Sequence, residues 1–471
     1  MKKTLKLWPN DCANWAICSL AVVREFAEQI AVNTTQNSTR NHSKMDLFLL
    51  GIDGLPRWMW QQLADSGVMP HSQQLLQSGT LVPMQSSLPE VSSAAWASII
   101  TGQNPGGHNV FGFTDLMDGS YSLGFTSSRT FRAKPFWAKP ASRPSLIINV
   151  PQTYPAQPLN GMLVSGFVAL DLKRAVHPPD QLQWLESINY AVDADMSLLE
   201  QGKPRFVQEL RRVMTARCQA LHHHWDREPW QQIMFVFTGT DRLNHYLWED
   251  FEDAGSPLHQ TFLDYYHEVD RQIGAILQRL DDRTLLAAVS DHGFARQRRS
   301  INVNCLLAEA GYLHLKPSAR PSYSDMLPET RAFAMDPGRI YLHRQGRYPG
   351  GSVQPEQAEE LLQELERYLL QLSVAGCPVV SQVLRGTDIY SGPFAHRAPD
   401  LVALPATDVA LSGRMNLQEL IEPTLINGRH THEESTFFVR GTQHGVIPEK
   451  MRVEDVLQVL QPEIQSLQKA A

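Results

Sequence analysis

The sequence predicts an α/β protein built on a mostly parallel sheet, and three observations lead there. Short, predominantly apolar runs of strand length recur along the chain. Helical patterns lie between them, and an Asp or Asn stands close to the end of most of them. Apolar runs of this kind belong to strands buried on both faces, as in sheets covered by helices on each side. Strands that alternate with helices pair in parallel through crossover connections.

The chain enters this pattern at Asp46. Residues 47–52 form the first run and end at Asp53-Gly54. Residues 146–150 contain Asn149 and stop before Pro151. Residues 233–237 lead into Thr238-Gly-Thr-Asp241, residues 285–290 deliver Asp291-His292-Gly293, and residues 401–404 follow Pro399-Asp400 as a fifth run. Residues 356–372 place Ala358, Leu361, Leu362, Leu365, Leu369 and Leu372 at helical spacing. In such sheets ligands sit beyond the carboxyl ends of the strands, so the active site is expected at that edge. Two stretches, about 178–230 and 296–380, read as insertions that cover the site. There is no internal repeat and no long low-complexity tract.

Composition narrows the function classes. The 471 residues are 42% hydrophobic and 19% charged, ordinary for a soluble globular chain long enough for a large core. A net charge of -7 without a Lys/Arg cluster speaks against a nucleic-acid or membrane-surface binder. The five cysteines (Cys12, Cys18, Cys218, Cys305, Cys377) are odd in number and widely spaced. They suggest a reducing compartment, hence a cytoplasmic location, rather than a disulfide framework. The apolar stretch 15–23 is too short to span a bilayer and, between Asp11 and Arg24-Glu25, makes a poor secretory signal. Residues 1–44 form an N-terminal extension of unassigned role, with a linker-like polar run from Asn33.

The chemistry-bearing residues each have an ordinary reading beside a functional one. Asp291-His292 offers two ligands at a strand end, or a plain turn. Asp241 and His245, four apart at a helix start, share one face and suit chelation; equally, Asp241 caps the helix. Asp53 is a third candidate ligand or the start of a turn. His430 lies downstream with His432 two residues on, which leaves two candidates there. Ser92 opens a helix, where free N–H groups attract an anion, or it is a simple N-terminal cap. No GxSxG elbow and no GxxxxGK[ST] loop occurs.

Taken in order, Asp53-Gly54, Val91-Ser92…Trp96…Thr101-Gly102…Pro105…His108, Thr240-Asp241…His245…Trp248, Ser290-Asp291-His292-Gly293 and Gly428-x-His430 resemble the alkaline phosphatase superfamily. The chain is most similar to its type I phosphodiesterase/nucleotide pyrophosphatase branch, from Met45 to the C-terminus. The resemblance implies an alkaline-phosphatase-like three-layer α/β/α sandwich over residues 45–471. It implies two divalent metal ions, zinc before manganese or iron. Asp241, His245 and His430 would hold one ion; Asp53, Asp291, His292 and the Ser92 oxygen the other. Ser92 would be the nucleophile of a phosphohydrolase acting on a small-molecule phosphate mono- or diester through a phosphoserine intermediate. A phosphotransferase or phosphomutase would share that intermediate, and a non-catalytic metal-binding protein is the alternative outside enzymes. The chain departs from the family pattern at Phe113, where nucleotide pyrophosphatases carry a phosphate-contacting Asn, at Asn109, and just after His430.

Overall fold

The computed structural model describes residues 45–138, 143–440 and 445–469. The readings made on Cys12, Cys18, the apolar stretch 15–23 and the polar run before Lys44 fall outside the described residues.

The apolar runs become the middle of an eight-stranded sheet. Across it lie Thr80–Met84, Ser435–Arg440, Leu285–Val289, Leu47–Ile52, Gln232–Phe237, Ser145–Val150, Gly161–Ser165 and Val176–His177. The five strands from Leu285–Val289 to Gly161–Ser165 pair in parallel. Antiparallel strands close both edges.

Leu47–Ile52 shows why the run has no polar residue. Phe48, Leu50 and Ile52 enter the apolar cluster on one face, while Leu47 and Leu49 enter the cluster on the other. Each such side chain adds roughly 1.5–3 kcal/mol by leaving water. Gly51 breaks the run because a Cβ there would lie 2.5 Å from Trp96 Cη2. The helix Ser92–Thr101 therefore packs closely on the first strand, through Trp96.

Two sequence expectations need correction. Residues 401–404 were expected among the parallel strands; Leu401–Pro405 instead pairs antiparallel with Arg339–Leu342 and Val380–Arg385 in a separate four-stranded sheet. Both its faces are covered, Leu401 and Ala403 by one apolar cluster and Val402 by another, so it carries the same apolar signature as a parallel core strand. Its preceding Asp400 is a structural residue that accepts from Leu342 N and pairs with Arg344. The stretch 178–230 is not wholly a cover. Within it, the helix Lys203–Trp225 places Phe206, Val207, Leu210 and Val213 in the cluster beneath the central sheet. The helical spacing near residue 360 is met by Pro355–Gln371, which buries Ala358, Leu361, Leu365 and Leu369 against the smaller antiparallel sheet. No helix among the described residues is long and apolar enough to cross a membrane.

Candidate active site

Three neighbouring strands of the central sheet end at one place. Asp53 follows Leu47–Ile52, Asp241 lies in the first turn of the helix Gly239–Glu252 after Gln232–Phe237, and Asp291-His292 follow Leu285–Val289. His245 stands one helical turn beyond Asp241. Ser92 is the first residue of its helix. His430 arrives from far downstream on the strand Gly428–Thr431, set opposite Phe294 by antiparallel pairing with Gly293–Asn302.

These side chains converge. His430 Nε2 lies 3.0 Å from Asp241 Oδ1 and 2.9 Å from His245 Nε2, and His245 Nε2 lies 3.4 Å from the same Asp241 oxygen. His292 Nε2 lies 3.2 Å from Asp291 Oδ2, 3.6 Å from Asp53 Oδ1 and 3.1 Å from Ser92 Oγ. It is also 3.8 Å from Asp241 Oδ1, and its ring stacks on His430 at 3.5 Å, which joins the two groups. Donor atoms of Asp53, Asp291 and His292, and separately of Asp241, His292 and His430, all lie within 4.8 Å of one another.

The donor set fits a metal. His245 Nδ1 donates to the Gly428 carbonyl at 2.8 Å, His430 Nδ1 to the Glu90 carbonyl at 3.0 Å, and His292 Nδ1 to the Gly293 carbonyl at 3.2 Å. A carbonyl has no proton to give, so each Nδ1 carries an N–H and each Nε2 faces inward, where a bound metal would take the place of any second proton. Nitrogen lone pairs 2.9 Å apart repel unless positive charge lies between them. Asp53 Oδ1 and Asp291 Oδ2 are buried without a hydrogen-bond partner. Buried, unpaired carboxylate oxygens are costly, and a cation satisfies both.

The electrostatics carry the same message. Burial, with the negative charges of Asp291 and Asp241, holds Asp53 well above the usual carboxylate range. Burial and the Asp241 charge push Asp291 up to about 6. Burial alone would raise Asp241, but His245, His430 and His292 outweigh it and hold it low. Burial presses His245 down to about 4 and His292 well below its ordinary value. His430 moves the other way: burial lowers it, but its bond to Asp241 outweighs that and keeps it high. Charge this crowded is relieved by taking up protons or by binding a cation, and the inward-facing imidazoles suit the second.

Ser92 faces this centre from the start of a ten-residue helix. First-turn N–H groups have no acceptor within a helix and carry its positive dipole end, which suits the oxygens of a phosphoryl group. Asp53 is oriented from the same helix, since Trp96 Nε1 donates to Asp53 Oδ2 at 3.0 Å. Gly54 N donates to Asp291 Oδ1 at 3.2 Å. Nothing in the sequence marks the roles of Trp96, Gly54, or the carbonyls of Glu90 and Gly428. Each acts through a direction set only by tertiary packing.

Three residues singled out in the sequence stand apart. His432 lies just beyond the strand that carries His430, and it belongs to neither donor set. His108 is fully buried; its Nε2 bonds Ser98 Oγ at 3.0 Å and its Nδ1 accepts from Val110 N. Phe113 packs edge-to-face on Phe167, whose ring lies 4.1 Å beneath the Arg242 guanidinium beside Asp241. Phe113, one of the departures from the family pattern, is thus part of an aromatic wall.

A family model described as type I phosphodiesterase / nucleotide pyrophosphatase matches residues 47–433. No curated protein sequence matches the chain. Among solved structures, phosphonoacetate hydrolase from Sinorhizobium meliloti 1021, in complex with phosphonoformate, is similar with a TM-score of 0.59. The two share 14% identity over 91% of this chain and 97% of that one. Murine ectonucleotide pyrophosphatase / phosphodiesterase 5 is similar with a TM-score of 0.51, at 12% identity over 89% of this chain and 95% of that one. The human form gives a TM-score of 0.52, at 13% identity over 89% and 95%. These likenesses establish a shared α/β fold.

Proposed function

The chain belongs to the type I phosphodiesterase/nucleotide pyrophosphatase family of phosphoric ester hydrolases, and from that premise we propose that Ser92 is its nucleophile beside two divalent metal ions. The observation that carries this reading is the inward turn of three imidazole Nε2 atoms and three carboxylates toward one buried centre, which Ser92 Oγ meets at His292, with each Nδ1 tied to a carbonyl. Asp241, His245 and His430 would hold one ion, and Asp53, Asp291, His292 and Ser92 Oγ the other. Mixed imidazole and carboxylate ligation suits zinc, with manganese or iron next. Bound there, the ions would lower the pKa of the attacking hydroxyl and stabilise charge on the leaving oxygen.

The rest is done by the chain. Ser92 Oγ attacks phosphorus, and the bond to the leaving group breaks on the opposite side. The first-turn N–H groups of its helix hold the oxygens of the transferred group. The transferred group stays on Ser92 Oγ as a phosphoserine ester, and water releases it, as phosphate from a monoester or as a phosphate monoester from a diester. The substrate is a small-molecule phosphate mono- or diester. The odd number and wide spacing of the cysteines support a cytoplasmic site of action.

The test is hydrolysis of p-nitrophenyl phosphate and of bis- and thymidine-linked p-nitrophenyl diesters by the zinc- or manganese-loaded protein. Ser92→Ala is expected to lose at least ~10³-fold in kcat while Asp53, Asp291 and His292 still retain the ion that Ser92 Oγ would share. Undiminished turnover by that variant would remove Ser92 as the nucleophile.

A further inference from the structure

Beside His245 and His430 opens a cavity of about 230 Å³ that the proposed chemistry leaves without a role. Its apolar lining includes Pro337, Ala403, Leu411 and Ile426, contributed by the segments outside the central sheet. Glu90, Gln297 and Arg429 supply its polar lining. Arg429 makes no ion pair among the described residues: Nη1 donates to the His430 carbonyl at 3.1 Å, Nη2 reaches the Ala406 carbonyl at 3.4 Å, and Nε is buried without a partner. A guanidinium has five N–H groups in a planar fork suited to a carboxylate or phosphoryl group, so most of its donors remain unused, while Glu90 and Asp408 act on its charge without forming an ion pair.

The cavity borders His245 and His430, in the donor group other than the one Ser92 Oγ meets at His292, and Val91 beside Ser92 lines it as well. A two-ion clamp puts the attacking oxygen at one ion and the leaving oxygen at the other. In an in-line displacement the leaving oxygen departs on the side away from the nucleophile. Resting on the function proposed above, we infer that this cavity receives the leaving group, and that Arg429 selects one with an apolar body and an anionic end. Glu90 shares the cavity and makes the opposite preference, for a cationic end, the direct rival.

The probes are three phenyl diesters that differ only in the para substituent of the leaving phenol: carboxylate, nitro or trimethylammonium. Rates are corrected for the phenol's own pKa. Arg429→Met is expected to lose about 10–100-fold in kcat/KM on the carboxylate ester, within the range for a lost charged hydrogen bond. It should stay within about threefold of wild type on the nitro ester. Arg429→Lys should restore part of the loss. Binding of para-hydroxybenzoate to the metal-loaded protein, followed by calorimetry, should weaken in parallel in the Met variant. An equal loss on all three esters, or a wild-type preference for the ammonium ester, overturns the inference. Failure of the underlying reading looks different: wild type would cleave none of the three, or Ser92→Ala would cleave them as well as wild type.

Discussion

Trp96 donates its indole N–H to one oxygen of Asp53 at 3.0 Å and leaves the other oxygen buried and bare, aimed toward His292. The two residues lie on different elements, and Gly51 lets those elements approach closely enough for the bond to form. A tryptophan in the apolar core thus fixes the rotamer of a carboxylate at the edge of the sheet. Outer groups that orient ligands in this way commonly govern metal affinity.

Trp96→Phe keeps most of the buried ring and removes only the N–H. Metal affinity at the site containing Asp53 is expected to fall about 10–100-fold, while the protein stays folded. Competitive titration with a chelating indicator reads the affinity, and thermal unfolding checks the fold. Unchanged affinity for both ions would show that Asp53 needs no such support.

His430 and His432 separate by the same kind of measurement. His430→Ala removes an imidazole 3.0 Å from Asp241 and 2.9 Å from His245 and is expected to leave the chain binding one ion tightly instead of two. His432→Ala is expected to retain both ions. Metal content by mass spectrometry after dialysis decides the matter; the reverse result would put His432 in the site.

That choice shows where sequence reasoning stops. Asp53, Asp241 and Asp291 could be found because a parallel sheet brings strand ends together, and the strands announce themselves as apolar runs. Histidines two apart on a strand point to the same side, so spacing cannot choose between them. The choice depends on the pairing of His430 with Phe294 and on the strand ending at Thr431. Residues 401–404 were misplaced for a related reason: burial on both faces leaves the same trace in a small antiparallel sheet as in a parallel core. The helix Lys203–Trp225 was read as part of an insertion because its apolar stripe reveals that it packs, and not against what. Arg429 was passed over because a lone arginine on a strand has no signature until its missing partner can be seen.

The buried His108 makes a prediction about acid stability. Burial lowers its pKa from the ordinary value near 6.5 to about 3. Its Nδ1 accepts from Val110 N–H, so a proton there would set two donors against each other. Between those two values the unfolded chain takes up a proton that the folded chain refuses, so stability must fall as pH drops through that window. At about pH 5 the loss from this one group is about 2 kcal/mol relative to neutral pH. His222 and His224, also lowered by burial to about 4, add to the trend in the same sense. Comparison with His108→Gln isolates the contribution, because the variant retains the others. In urea unfolding of chelator-treated protein, wild type should lose more stability than the variant between about pH 7.5 and about pH 5. Parallel slopes would mean that His108 is protonated in the folded protein, and the hydrogen bond from Val110 would have to be abandoned.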